Sequence, residues 1–322
     1  MISIFKEQFL NYLEGKVQVK NPKNLYEPIE YILGLGGKKI RPVLTLLATD
    51  VFGANYKDAL DAALAIEIFH NFTLIHDDIM DDAPLRRGNI TVHEKWGVNR
   101  GILSGDAMMI LAYQCLEGYS DSTFKKLNQI FSKTALEVCE GQQLDVDFET
   151  RSDVTNEEYL KMISLKTSVL IGCALKMGAI VADATIDEAD KIYKFGLNLG
   201  IAFQLQDDYL DTFGDSRSFG KQVGGDIIEN KKTLLFITAL RLSDGKDSEK
   251  LLKLYAEKHK NNEDKIVEVI KIFNKYDISS LIKLEIGKYT KKAFEILETI
   301  NVVNEKKQML YVFGEDLMNR NA

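Results

Sequence analysis

Residues 58–82 read DALDAALAIEIFHNFTLIHDDIMDD and place an apolar segment directly before a cluster of carboxylates. Apolar side chains recur in this segment at spacings of three and four residues, which predicts a helix. Four aspartates then follow within six positions: Asp77, Asp78, Asp81 and Asp82. Because negative charge at the C-terminal end of a helix opposes the helix dipole, something must neutralise this cluster.

The helical spacing continues along the rest of the chain. It recurs in residues 43–52, 106–119, 124–145, 193–213 and 281–297. All four prolines lie within the first 84 residues, so the remainder lacks the strongest helix breaker. We find no linker, repeat or clear strand pattern. We therefore predict an all-α fold in which residues 1–322 form one large single-domain helical bundle.

Two local patterns add detail to this prediction. Thr155 and Glu158 have the spacing of a capping box, which predicts that a helix begins there. Residues 214–226, GDSRSFGKQVGGD, contain four glycines and two serines and predict a long loop.

Composition restricts the class of protein. The 322 residues are 45% hydrophobic and 28% charged, which is typical of a soluble globular protein. A net charge of −7 argues against a general nucleic-acid binder. Three widely spaced cysteines favour a reduced, cytoplasmic location over a disulfide framework. We see neither a signal peptide nor an apolar run of about 18 residues, so we predict no transmembrane segment.

A second acidic cluster repeats the first one 130 positions later. LQDDYLD, residues 205–211, contains Asp207, Asp208 and Asp211 at the end of another apolar segment. Side chains at positions i and i+4 share a helix face, so Asp77 pairs with Asp81 and Asp207 with Asp211. One such cluster is often only a solvated helix end. Two of them predict Mg²⁺ sites that, if they face each other, hold one diphosphate.

Basic residues accompany both clusters. They are Lys38 and Arg41 in GGKKIRP, Arg86 and Arg87 after the first cluster, Lys166 beside Thr167, and Lys221 and Lys231 after the second cluster. Each alone is consistent with a surface charge, but arginine and lysine are also the usual phosphate ligands. The chain has only four histidines, and His76 beside Asp77 lacks a histidine set for a metal-dependent phosphohydrolase site.

These motifs together resemble those of the trans-isoprenyl diphosphate synthases, or polyprenyl synthetases, over nearly the whole chain. The matching segments are GGKKIRP (36–42), HDDIMDDAPLRRG (76–88), Lys166-Thr167, FQLQDDYLD (203–211), KQVGGD (221–226) and Lys231-Lys232-Thr233. The resemblance implies the family's all-α bundle around a deep central cavity and a homodimer. It also implies the short-chain type, similar to geranylgeranyl and farnesyl diphosphate synthases.

The resemblance implies a role for each matching residue. It implies that three Mg²⁺ ions bind together with the allylic diphosphate. Their expected ligands are Asp77, Asp78, Asp81, Asp207, Asp208 and Asp211. The residues expected to contact the allylic substrate are Arg86, Lys166, Thr167, Gln204, Lys221 and Lys231. Those expected to bind the diphosphate of isopentenyl diphosphate are Lys38, Arg41, His70 and Arg87. The residues expected to matter most for catalysis are Asp77, Asp81, Arg86, Lys166, Asp207 and Lys221.

The implied reaction joins five-carbon units. Metal and cationic side chains stabilise the departing diphosphate, which allows the allylic substrate to ionise to a carbocation. Isopentenyl diphosphate then attacks that cation, and loss of a proton gives a product longer by five carbons. An apolar cavity shields the cation from water.

Product length is expected to depend on Phe72, five residues before Asp77. In the family that this chain resembles, a bulky residue there can form the floor that stops chain growth. Thr73 beside it is small, and the first motif has no insertion. We therefore favour a 20-carbon product over a 15-carbon one. The alternative is that Phe72 only packs against a neighbouring helix.

Two other functions are considered. A class I terpene cyclase shares the first motif, but QDDYLD differs from the second metal motif expected there, and Lys38 and Arg41 would have no second diphosphate to bind. A non-catalytic subunit of a heteromeric synthase usually loses aspartates, whereas both motifs are intact here. Asp82 lies outside the DDxxD spacing, and we assign it either to the surroundings of the metal or to the solvated surface.

Overall fold

The computed structural model describes residues 2–214, 224–256 and 262–318. In the first part of the chain the helices are α1 (Ile2–Lys16), α2 (Lys23–Gly34), α3 (Ile40–Val51), α4 (Leu60–Met80), α5 (Val92–Trp96), α6 (Val98–Gln114), α7 (Asp121–Thr150), α8 (Asn156–Ile163) and α9 (Val169–Val181). They are followed by α10 (Ile186–Phe213), α11 (Gly225–Ile228), α12 (Leu234–Leu242), α13 (Gly245–Ala256), α14 (Asn262–Lys275), α15 (Ile278–Glu298) and α16 (Asn304–Met318).

The predicted all-α fold is confirmed. The strands within the described ranges are β1 (Leu85–Arg86) and β2 (Asn89–Ile90), which form an antiparallel hairpin. A 3₁₀ turn (Tyr56–Ala59) precedes α4, and one π-helical turn (Ser164–Ser168) separates α8 from α9. Neither the hairpin nor the π turn was predicted.

The helices lie where apolar periodicity predicts them, and the capping box is confirmed. The Thr155 hydroxyl accepts the Glu158 backbone N–H at 3.2 Å, and the Glu158 carboxylate accepts the Thr155 backbone N–H at 2.9 Å. Most of the predicted loop at 214–226 lies outside the described residues. Its last two residues begin α11 instead.

The residues cluster into two compact units. The first unit comprises residues 1–132, 173–190 and 302–306. Its central element is α4, which packs against α3 and α6. All residues from Ala62 to Phe69 are buried. A helix that is apolar on most sides is stable when other helices pack around it. The aspartate cluster lies beyond this buried part, at the C-terminal end of α4.

A buried ion pair holds the start of α3 against α4 in this unit. The Lys39 side-chain ammonium donates to Glu67 Oε1 at 2.9 Å and to the Leu33 carbonyl at 3.2 Å. Both charged side chains are at most 3% exposed. The Asn71 amide also donates to the Glu67 carboxylate, at 2.9 Å. Because the charges are paired and hydrogen-bonded, their burial is tolerated, and the segment before α3 is fixed in place.

The second unit comprises residues 133–172, 191–301 and 307–322. Its core joins α12, α14 and α15 to the second half of α10. Phe236 and Phe273 are almost completely buried, and the Phe236 ring lies 4.1 Å from that of Tyr255 between centroids. Since the apolar faces of these Lys- and Glu-rich helices are buried here, the charged residues occupy their outer faces.

The segment Asn156–Val181, which contains α8 and α9, is long and apolar enough to cross a membrane by length and composition. In its most apolar window, 72% of the segment is buried inside the protein. This burial is the pattern of a core helix. It is the one segment of this kind among the described residues.

Candidate active site

The first aspartate motif lies at the C-terminal end of α4. Asp77 is half-buried in the last turn, and Asp81 is the exposed residue that ends the helix. The Asp81 backbone N–H donates to the Asp77 carbonyl at 2.9 Å. The helical spacing therefore persists through the motif and places the two side chains on one face, as predicted.

Asp78 has a different environment from its neighbours. Its side chain is 1% exposed, and Oδ1 accepts from Arg86 Nε at 2.8 Å and also from Arg86 Nη2. The other oxygen, Oδ2, is buried and has no hydrogen-bond partner among the described residues. Burial raises the pKa of Asp78, although the Arg86 guanidinium opposes this shift. Asp78 thus holds Arg86 beside the motif and keeps one oxygen available.

Arg87 lies in the turn of the β1–β2 hairpin, and its side chain contacts the glycine segment before α3. Arg87 has a positive φ of 53°, and its Nη1 donates to the Gly36 carbonyl and, at 3.3 Å, to that of Leu35. At Gly37, φ is 148°, and an added Cβ would lie 2.9 Å from Arg87 Nη1. Glycine is favoured there because other residues rarely adopt this φ, and an added Cβ would also require the Arg87 guanidinium to shift.

The residues predicted to bind isopentenyl diphosphate are gathered in this unit. Arg41, on the first turn of α3, places Nη1 3.1 Å from Nε2 of His70 on α4. Burial lowers the pKa of His70 well below its usual value, and Arg41, Arg87, Lys39 and Arg86 add to the shift. His70 is therefore neutral at pH 7 and can act as a hydrogen-bond partner among cations. Lys38, three residues before Arg41 in the chain, is exposed.

The predicted chain-length residues lie one to two turns before the motif on α4. Phe72 is 7% exposed, and its ring centroid lies 5.4 Å from that of Phe69 and 4.8 Å from that of His76. The half-buried Thr73 donates its hydroxyl to the His70 carbonyl at 2.8 Å. Phe72 is thus part of an aromatic row that continues up to the carboxylates.

The second aspartate motif lies on α10, in the other unit. Asp208 is 5% exposed and accepts hydrogen bonds from the Tyr159 hydroxyl and, at 2.9 Å, from the Gln204 amide. The Gln204 carbonyl in turn accepts from the Thr167 hydroxyl at 3.1 Å. Burial raises the pKa of Asp208 to about 7, against these two hydrogen bonds. Three of the predicted residues therefore form one connected network.

Asp211 connects this motif to the short helix α11. One of its carboxylate oxygens accepts the Asp226 backbone N–H at 2.9 Å, and its carbonyl accepts the Gly224 N–H at 2.6 Å. Burial, and then the charges of Asp208 and Asp211, raise the pKa of Asp226 well above its usual value. Asp207, the other member of the motif, is half-buried.

Lys166 lies in the π turn and pairs with Asp145 on α7. An added Cβ at Gly141, one turn before Asp145, would lie 2.2 Å from the Lys166 backbone nitrogen. Only glycine permits this close approach of α7 to the π turn. π-Helical turns within α-helices are frequent at functional sites.

These side chains share one pocket in the second unit, with a volume of about 120 Å³. Its lining includes Asp145, Tyr159, Lys166, Thr167, Gln204, Asp208, Asp226 and Lys231. The structure thus brings together most of the residues that were predicted to bind the allylic substrate. Lys221 lies outside the described residues.

Several residues of the two sites were not predicted. Asp145, Tyr159 and Asp226 line the pocket, and Lys39 lies beside Arg41. Asp226 belongs to the quoted KQVGGD segment, so its motif was available. Asp145 and Tyr159 stand in no comparable pattern, and only their contacts with Lys166 and Asp208 identify them.

The two groups of side chains suit a divalent metal and phosphate. Both motifs offer oxygen ligands only, which is the set that Mg²⁺ prefers. The unpartnered Asp78 Oδ2 and the raised pKa values of Asp208 and Asp226 mark carboxylates whose charge the protein itself neutralises incompletely. The residues present therefore fit the metal that the resemblance implies.

Comparison with known proteins confirms the predicted family. Residues 22–273 match the family described as polyprenyl synthetase. The short chain isoprenyl diphosphate synthase of Methanothermobacter thermautotrophicus is 40% identical over 281 residues, 86% of each chain. The geranylgeranyl diphosphate synthase of Saccharolobus solfataricus is 38% identical over 311 residues, which cover 94% of this chain and 93% of the relative. A crystal structure of a geranylgeranyl pyrophosphate synthase matches with a TM-score of 0.96 at 49% identity, covering 100% of this chain and 99% of that one. This chain therefore belongs to the polyprenyl synthetase family.

Proposed function

We propose that this trans-prenyltransferase is Mg²⁺-dependent and condenses isopentenyl diphosphate with an allylic diphosphate to give mainly a 20-carbon product. The observation that carries the proposal is the shared pocket of Lys166, Thr167, Gln204, Asp208 and Lys231. It combines a carboxylate suited to Mg²⁺ with lysines suited to phosphate. The names of the similar proteins support a short-chain product.

Asp77, Asp81, Asp207 and Asp211 are proposed as Mg²⁺ ligands, with further oxygens from Asp78 and Asp208. When bound, Mg²⁺ neutralises charge that develops on the departing diphosphate. Arg86 is held by Asp78 for a contact with the allylic diphosphate. Lys166, Thr167, Gln204 and Lys231 serve the same substrate, as does Lys221 outside the described residues.

Lys38, Arg41, His70 and Arg87 are proposed to bind the diphosphate of isopentenyl diphosphate. Arg41 and Arg87 supply the planar donor groups suited to phosphate oxygens. Neutral His70 beside Arg41 adds a hydrogen bond without further charge. A second diphosphate site of this kind distinguishes a chain-elongating enzyme from a cyclase that acts on one substrate.

The direct test incubates the purified protein with isopentenyl diphosphate, an allylic diphosphate and Mg²⁺, followed by mass analysis. We expect prenyl diphosphates longer than the starter by multiples of five carbons, and we expect chelation of Mg²⁺ to abolish them. A cyclised hydrocarbon would support the terpene cyclase instead. Absence of any product, with activity restored by a second polypeptide, would identify a non-catalytic subunit.

Replacing Phe72 with alanine is expected to lengthen the product. Phe72 lies about 7.5 Å before Asp77 along the helix axis, at a rise of about 1.5 Å per residue. Removing its ring allows further additions of five carbons before the chain meets an obstacle. Mass analysis with a 15-carbon allylic starter measures the shift beyond 20 carbons.

Phe9→Ala is the control for this change, since it removes a fully buried ring on α1, a different helix. Each variant is expected to lose about 3–5 kcal/mol of stability. Product length should change only with Phe72→Ala. An unchanged distribution in a folded Phe72→Ala variant would mean that Phe72 only packs against its neighbours.

Homodimeric assembly and a cytoplasmic location are also proposed. Both follow from the family resemblance and the composition of the chain. Leu103 and Ile110 on α6 are 59% and 58% exposed, which suits a surface that pairs with a second copy.

A further inference from the structure

Three side chains near the first motif form a separate group of potential metal ligands. Asp82 directly follows the DDxxD residues, while His93 and Glu94 lie on α5. Their ligand atoms all lie within 4.8 Å of one another. His93 Nε2 lies 4.0 Å from Asp82 Oδ1 and 3.8 Å from Glu94 Oε1. The group belongs entirely to the first unit.

His93 is the unusual member of this group. Its side chain is 4% exposed, yet neither ring nitrogen has a hydrogen-bond partner among the described residues. Leaving a buried polar group without a hydrogen bond is unfavourable, so such groups are rare in folded proteins. The two nearby groups are the carboxylates of Asp82 and Glu94. A metal ion can bind to both of them and to the imidazole. A buried imidazole whose Nε2 lies within 4.0 Å of two carboxylates therefore has the surroundings of a cation site.

We propose that Asp82, His93 and Glu94 bind a divalent transition-metal ion of the Zn²⁺ class, separately from Mg²⁺. Imidazole nitrogen and carboxylate oxygen are both ligand types that zinc binds, and water can complete the coordination of three protein ligands. Imidazole favours Zn²⁺ and similar ions, whereas Mg²⁺ favours sites made only of oxygen. The composition of the site thus separates it from both aspartate motifs.

The geometry requires a small contraction when the ion binds. Zinc ligands at about 2.0–2.2 Å from the ion lie about 3.3–3.6 Å apart in a tetrahedral site. The Asp82 and Glu94 side chains are 96% and 50% exposed and are able to move inward, whereas His93 is fixed by burial. Asp82 has a φ of 49°, a left-handed conformation that turns the chain immediately after α4.

The ion would link the two ends of the segment that carries Arg86 and Arg87. This segment connects Asp82 to α5, and its base is already joined by the Thr91 hydroxyl, which donates to the Ala83 carbonyl at 2.8 Å. A metal bound at both ends would restrict the hairpin and stabilise the folded state by mass action. The site is thus a clamp on the arginine-bearing hairpin.

Equilibrium dialysis with Zn²⁺ in the presence of excess Mg²⁺, followed by elemental analysis, tests the proposal. We expect Asp82→Asn and Glu94→Gln each to lose one equivalent of bound zinc relative to the unsubstituted protein. Both residues are exposed, and asparagine tolerates the left-handed conformation of Asp82. His93→Asn is a third variant, but the two acidic variants decide the outcome if it fails to fold.

Asp106→Asn is the matched control. Asp106 lies 3.9 Å from His76, a separation like that at His93, but no third ligand completes a set there among the described residues. The Asp106→Asn variant should therefore bind as much zinc as the unsubstituted protein. X-ray absorption of the zinc-loaded protein should show one imidazole ligand, and this contribution should disappear in the Glu94→Gln variant. Equal zinc contents in all variants would overturn the proposal and leave Asp82 and Glu94 as ion-pair partners of His93.

Discussion

Replacing Asp77 with asparagine is expected to lower kcat/KM for chain elongation by about a hundredfold to a thousandfold. The change keeps the shape of the side chain but removes its negative charge. A carboxylate ligand contributes several kcal/mol through the metal that it holds, and each 1.36 kcal/mol corresponds to a tenfold change in rate. Asp81 on the same face cannot replace it alone, because the two act together.

Steady-state assays over a range of Mg²⁺ concentrations separate two causes of this loss. If Asp77 binds the metal, the variant needs more Mg²⁺ for half-maximal activity and stays slower at saturation. Asp183→Asn is the control, since the Asp183 side chain is 94% exposed in the same unit. An Asp77→Asn variant with wild-type rate and Mg²⁺ dependence would remove Asp77 from the metal site.

The helices were predictable because their causes are local. Apolar side chains at helical spacing identify α3, α4, α7, α10 and α15 without any tertiary information. The capping box of α8 is equally local, since both of its hydrogen bonds join residues three positions apart. The position of each aspartate motif at the end of an apolar helix was predicted for the same reason.

The environments of the site residues were less predictable, because they depend on contacts distant in sequence. Asp78 and Asp81 are both aspartates of the first motif, yet one is buried against Arg86 and the other is exposed. Tyr159 reaches Asp208 across 49 positions, and no pattern in the sequence marks it. The π turn also escapes prediction, because its residues have ordinary helical composition and its position is tied to the close approach at Gly141.

Lys166 illustrates how such a contact bears on function. Its ammonium pairs with Asp145 and lines the same pocket as Gln204 and Asp208. The ion pair with Asp145 restricts the position of the lysine side chain in the pocket lining. Because Lys166 lies in the π turn and its ammonium is paired, it is held more firmly than an exposed surface lysine, which suits the proposed contact with phosphate.

Replacing Lys166 with methionine is expected to lower kcat/KM for the allylic diphosphate by about a hundredfold. Methionine retains much of the apolar stem but not the charge. A charge-assisted hydrogen bond contributes about 1.5–3 kcal/mol, and charge on the departing diphosphate increases in the transition state, so kcat should fall as well as affinity. Single-turnover assays with saturating isopentenyl diphosphate measure this loss directly.

Two further variants distinguish substrate binding from a purely structural role. Lys161→Met, at an exposed position on α8, should keep wild-type activity. Asp145→Asn removes the ion pair but leaves the ammonium, so its loss should be much smaller than that of Lys166→Met if the lysine contacts substrate. Equal losses in Asp145→Asn and Lys166→Met would mean that the ion pair matters only for the structure of the π turn. Partial recovery in Lys166→Arg would support the phosphate contact, since arginine restores the charge but not the compact geometry of the ammonium.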